Sequence, residues 1–406
     1  MPNKIANGMI SKIREQFNAG FKEEYYENLK KEIVDTYGEG TAFRSSETPI
    51  FISKKVKNEI FDACESIINQ LWQMDFDKIR NQFVPKEIQS PSNIGKPHFL
   101  AIDFGLCEDG SGGITPQLIE LQAFPTLFFY QPFLGKAFLN NYPAMPKEGF
   151  HYFFSGLDEA QYIKEVRDVI VADEKPENVI LMELYPEKQK TRIDFWATKK
   201  ALGIEVVCMT KITKEGKKLF YLKDGVKTQI NRIYNRVIFD EIERTKDLNT
   251  NFKLNDDVDV EWITHPDWFF MISKCVMPKL KHKNIPNSFY LNDFPAGINL
   301  ENYVLKPLFS FAGLGVDLYP TKEKVASIFD KENYILQEKV KYASVIKTNS
   351  EKNSKGEIRI LYIWDEKNNR LKPVTNLGRM SKGELVNVSH NTEETWVGSS
   401  IGFFEE

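Results

Sequence analysis

The stretch "NVILMELYPEKQKTRIDFWATKKALGIEVVCMTKI", residues 178–212, narrows the possible folds more than any other part of the chain. An apolar run, "NVILMELY", leads into an amphipathic stretch that ends at Gly203, and a second apolar run, "IEVVCMTKI", follows at once. Glycine just beyond a helix closes it, because glycine takes up the left-handed backbone there without a steric penalty. Two strands joined through a helix cannot form a hairpin; the crossover makes them parallel neighbours. Residues 161–265 therefore read as a small, doubly wound, Rossmann-like α/β layer. No GxGxxG follows its first strand, so a dinucleotide site is not supported.

On either side the pattern changes. Ile13, Phe17 and Phe21 recur at helical spacing, as do Val56, Ile60, Cys64, Ile67 and Leu71, so residues 1–95 are expected to be a helical region. From His98, "HFLAIDF" and "QLIELQAF" flank the glycine-rich "GLCEDGSGG" and predict two strands with a tight turn, within a segment 96–160. Residues 266–406 open with an expected helix, "THPDWFFMISKCVMPKL", and then become strand-rich through "NYVLKPLF", "NYILQEKV", "EIRILYIW" and "KPVTNLGRM".

Composition removes several function classes. A net charge of −3 over 406 residues gives no general field for nucleic acid or an anionic membrane, so any polyanion must be held by a local cluster. The four cysteines form no CxxC pair, which predicts packed thiols in a reducing compartment, and the amino terminus lacks the apolar core of a signal peptide. A cytoplasmic protein with a small ligand is expected. The five histidines lack metal-ligand spacing, GxSxG is absent, and "IDFG" (102–105) has no kinase motifs upstream of it.

Two clusters of polar residues remain. Lys306 ends the apolar run "YVLK" and precedes a loop of small residues that includes Ser310, Gly313 and Gly315. Such a loop lets backbone N–H groups approach phosphate oxygens, and the lysine adds compensating charge; a surface lysine before a proline turn fits the same letters equally well. No Walker loop occurs. Gln337 and Glu338 end a further strand and could hydrogen-bond an adenine or a ribose. The second cluster is Asp103, Glu120 and Gln122, oxygen donors at the ends of two adjacent strands, with Glu120 and Gln122 on one face. Oxygen-only ligands suit magnesium, while turn capping and salt bridging are the ordinary alternative.

In motif order, residues 95–406 resemble the circularly permuted ATP-grasp family typified by glutathionylspermidine synthase. "AIDF" and "LIELQAFPT" look like the family's metal-binding strands, with Gln122 where the family usually has Asn. "HPDWFFMISKCVMPKL" resembles the segment bearing the first nucleotide lysine, here Lys274, and "YVLKPLFSFAGLGV" the strand and lid loop of the second, Lys306. "ILQEKV" is similar to the adenine hinge. "NLGRMSKG" supplies Arg379 where the family has an arginine on the transferred phosphate, and Arg359 in "EIRILYIW" competes for that role. The resemblance implies a permuted ATP-grasp fold binding ATP and Mg²⁺, with Asp103, Glu120 and Gln122 as metal ligands. It implies a carboxylate-amine ligase acting through an acyl phosphate on a small-molecule or peptide carboxylate and an amine. A non-catalytic nucleotide-binding module and a small-molecule kinase are the alternatives. Arg44, in "FRSSETPIF", is a candidate substrate contact or part of a capping cluster.

Overall fold

Residues 11–91, 93–310, 313–384, 386 and 394–406 are described by a computed structural model. The expected strand pair exists as β1 (Phe99–Glu108) and β2 (Ile114–Gln122). Its turn is held by Asp109, whose Oδ1 accepts the backbone N–H groups of Ser111 (2.8 Å) and Gly113 (2.7 Å). Gly110 and Gly112 supply the positive φ that the turn requires. With β3 (Lys355–Asp365), β4 (Arg370–Ser381) and β5 (Gly398–Ser400) they form a five-stranded antiparallel sheet in the order β5-β4-β3-β1-β2. Burial along β3 is almost continuous, so this sheet is covered on both faces.

The β-α-β reading is met by Val179–Glu183, the helix Arg192–Leu202 and Glu205–Cys208. The two strands pair in parallel, and Gly203 takes the left-handed cap at φ 71°. Arg232–Asn235 and Glu261–Ile263 extend this to four parallel strands. The layer is not wound on both faces as expected. Helices Glu159–Ile170 and Arg192–Leu202 cover one face through Tyr162, Val166, Phe195 and Leu202. The other face packs against a small antiparallel sheet through Leu219, Tyr221 and Ile230, and against the apolar segment around Phe270 and Met271.

The amino-terminal region is helical as its periodicity requires, with Ser11–Gly20, Glu23–Tyr37, Lys54–Leu71 and Phe76–Phe83. It is also tied to the far end of the chain, because Ile50–Ile52 pairs in parallel with Gly402–Glu405. The expected long helix at 264–280 is instead a four-residue turn of helix, Trp268–Met271, followed by a 3-10 segment, Lys274–Lys279. Pro278 and the β-region backbone at Ile272 and Ser273 prevent a continuous helix. A second, three-stranded antiparallel sheet is made of Ser288–Tyr290, Tyr303–Pro307 and Tyr334–Glu338, and we call it the cap. The four cysteines are free. Among the described residues no helix is long and apolar enough to cross a membrane.

Candidate active site between the central sheet and the cap

A bulge in β2 sets the geometry. The pairing passes from Asp103 with Glu120 to Phe104 with Leu118, which leaves Ile119 as the extra residue. A bulge frees backbone carbonyls, and buried carbonyls need donors. The cap supplies them: Lys306 Nζ donates to Ile119 O (3.1 Å) and Gln337 Nε2 to Leu118 O (3.0 Å). Lys306 also donates to Gln337 Oε1. The two sequence candidates are therefore one unit that docks the cap on the bulge. Gln337 lines the cavity beside Glu338, with its amide oxygen on Lys306 and its amide nitrogen on the Leu118 carbonyl.

Between the sheets lies a cavity of about 410 Å³, a size suited to a small ligand. Its apolar walls include Ile119, Val304, Leu318 and Val340. Its charged walls include Glu120, Lys274, Lys306, Glu338, Glu357 and Arg379. Ser310 and Gly313 line it from the loop, whose Phe311 and Ala312 lie outside the described residues. Gly315 is not a lining residue; at φ +73°, a Cβ there would meet Pro307 Cγ at 2.8 Å, so it serves the turn. Lys274 is buried, donates to Ser310 O (2.7 Å) and lies 3.6 Å from Glu120 Oε2, which links loop to sheet.

Cross-strand neighbours in an antiparallel sheet share a face, and this register brings the remaining candidates together. Asp103 pairs with Arg359, and Glu357 pairs with both Gly105 and Arg379. Asp103, 1% exposed, accepts from Arg359 through both oxygens and from Arg379 Nη2. Arg359 also reaches Glu120 (3.4 Å). Of the two arginines, Arg379 lines the cavity and Arg359 stands behind it, holding Asp103. Gln122 lines a small adjoining cleft with Glu120, Lys274, Ser310 and Phe269. Arg44 is engaged with Glu47 beside a bridge from Ser45 to Ser399, and it is not part of the cavity.

The charges perturb one another. Burial pushes the Glu120 carboxyl up, but Lys274, Arg359, Arg379 and Lys306 together pull it down to about 2. Burial lowers Lys306 to about 8, against the pull of Glu120. The Glu357 carboxyl is raised by burial although Arg379 lowers it. Arg379 is disfavoured by burial, yet Glu357, Asp103 and Glu120 hold its pKa above the ordinary value. Glu357 and its partner Tyr342 were not among the sequence candidates. Glu357 was readable, since Glu and Arg two apart on a strand share a face; Tyr342 gave no signal.

No family model and no curated protein matches the sequence. Among solved structures, the chain is similar to a glutathione synthetase-like effector from Globodera pallida in its apo form. The identity is 10%, the TM-score 0.57, and the match covers 94% of this chain and 96% of that one. The two chains share a fold over nearly their whole length. That fold is a mixed α/β architecture.

Proposed function

We propose that the chain is an ATP- and Mg²⁺-dependent ligase that joins a carboxylate to an amine through an acyl phosphate, on a circularly permuted ATP-grasp fold. The observation that carries this reading is the mixed lining of the cavity, which combines apolar side chains with three cations, the buried Lys274 and Lys306 and the partly buried Arg379. Apolar walls suit a purine and the cations a polyphosphate. The likeness to a glutathione synthetase-like protein supports the same class.

In that reading Lys274 and Lys306 bind the nucleotide phosphates and Ser310 and Gly313 close over them. Arg379 faces the phosphoryl group in transfer. A substrate carboxylate oxygen attacks the γ-phosphorus, the bond from phosphorus to the β–γ bridging oxygen breaks, and ADP leaves. The amine nitrogen then attacks the acyl carbon, the carbon–oxygen bond to phosphate breaks, and the nitrogen gives up a proton. Positioning and charge neutralisation do most of this work, so no enzyme nucleophile is needed. Among the described residues no three His, Cys, Asp or Glu side chains form a metal cage. The donor set fits magnesium in its usual manner, through one or two carboxylates and the phosphates of a substrate. Glu120 and Gln122 would hold it, with Asp103 behind them, and bound there it would neutralise phosphate charge.

The test is release of ADP and phosphate from ATP and Mg²⁺ with pooled amino acids, short peptides and polyamines, using Arg379→Ala as control. Release that needs both an added carboxylate and Arg379, with an amide as product, is expected. A phosphorylated product would make the chain a kinase, and nucleotide binding without release would make it a binding module.

A pH dependence follows from Lys306. Its charged form binds phosphate, and in the free protein that form is lost as pH rises through about 8. Nucleotide affinity is expected to be level below pH 8 and to fall above it, by at most about tenfold per pH unit. Lys306→Arg, charged throughout, should flatten the profile. Calorimetric titration of ATP between pH 7 and pH 10 checks this, and a wild-type profile that is level to pH 10 would contradict it.

A further inference from the structure

We infer that Glu357 is a positioning residue for Arg379, and that Tyr342 and Gly105 are present to support it. Arg379 is fixed from two sides. Its Nη2 donates to Asp103, and its Nε lies 3.3 Å from Glu357 Oε2. The Nη2 contact is a hydrogen bond, while the Nε–H is buried beside Glu357 as a close ion pair without hydrogen-bond alignment, so the two carboxylates bracket the guanidinium and bias its direction before a ligand arrives.

Glu357 is itself anchored. The Tyr342 hydroxyl donates to Glu357 Oε1, and the ring occupies the space above Gly105. A Cβ built at Gly105 would lie 2.7 Å from Tyr342 Cε1, and any side chain at this position of β1 would displace the ring. Gly105 is the cross-strand partner of Glu357, and Glu357 is the partner of Arg379, so the three positions form one row across β1, β3 and β4. The row meets the cap through Tyr342, which follows the cavity-lining residues 338–341.

The inference rests on the ligase reading only for its kinetic arm. Its direct test is the Arg379 Nε–H signal in protein labelled with ¹⁵N-arginine, assigned by its loss in Arg379→Lys. In the wild type this proton should exchange slowly with solvent. In Glu357→Gln, and more weakly in Tyr342→Phe, exchange should broaden it away. A signal that persists unchanged in Glu357→Gln overturns the inference whatever the kinetics. Tyr342→Phe keeps the carboxylate, so it remains informative if Glu357→Gln folds poorly. In the kinetic arm, Glu357→Gln should lower kcat by about 10- to 100-fold, with ATP affinity held within a few-fold. Equal losses in affinity and kcat would make Glu357 a binding group and overturn its positioning role. Absence of wild-type turnover would count against the ligase reading, while the arginine signal would still decide the role of Glu357.

Discussion

Asp103→Asn is expected to cost about 3–5 kcal/mol of folding stability in addition to abolishing ATP turnover, because it breaks a buried ion network from its centre. Asp103 is 1% exposed and engages two guanidinium groups. Around it stand the cations Lys274, Lys306, Arg359 and Arg379 and the carboxylates Glu120 and Glu357, an excess of one positive charge when Asp103 is counted. Asparagine raises that excess to two and leaves donors of both arginines facing an amide. Exposed pairs such as Lys31 with Asp35 are worth below about 1 kcal/mol, so the burial is what makes this one expensive to break. Urea unfolding with and without ATP measures the effect. ATP should restore more stability to the variant than it adds to the wild type, since the phosphates meet the larger excess of charge. Turnover lost with less than about 1 kcal/mol of stability would show that Asp103 serves a metal and not the arginines.

The difference between Asp103 as a metal ligand and Asp103 as an anchor for arginines shows where sequence reading stops. Elements that announce themselves locally were legible. Gly203 after an amphipathic run gave the crossover helix, Asp109 with its glycines gave the β1–β2 turn, and helical spacing from Val56 to Leu71 gave a buried helix stripe. What failed depended on neighbours far along the chain. The segment holding Lys274 has a helical apolar pattern, yet tertiary packing around Phe269 and Phe270 and the kink before Ser273 override it. Gln337 ends its strand where a hinge would, and its amide also meets a carbonyl freed by a bulge more than two hundred residues earlier, a contact no local pattern announces. The bulge itself has no signature, because Ile119 is as ordinary a strand residue as its neighbours. Glu357 shares a strand face with Arg359, but only the pairing of β1, β3 and β4 shows that it meets Arg379 and that Gly105 clears room for Tyr342.

Lys306→Met should weaken ATP binding by about 2–3 kcal/mol, roughly 30- to 150-fold in Kd, while leaving folding stability nearly unchanged. The two halves of this expectation have separate causes. Burial holds the ammonium at a pKa of about 8, so at neutral pH the folded protein keeps it charged at a cost of about 3 kcal/mol. That cost is fully present below pH 8 and is relieved as pH rises from there toward the ordinary lysine value, because the unfolded chain then binds the proton that the folded one has released. Methionine, of similar length, removes the cost but strands the Ile119 carbonyl and the Gln337 amide oxygen, at about 1–3 kcal/mol for each. The two terms nearly cancel in the free protein. They do not cancel when phosphates are bound, because methionine offers no charge to them. Calorimetric titration with a non-hydrolysable ATP analogue at pH 7, beside urea unfolding of the same variant, separates them. If the variant binds the analogue as tightly as the wild type, Lys306 is a structural pin between cap and bulge and the phosphates must be held by Lys274 and Arg379. If binding falls and stability does not, the free protein carries a solvation penalty at Lys306 that only an anionic ligand offsets, as a phosphate-binding lysine requires.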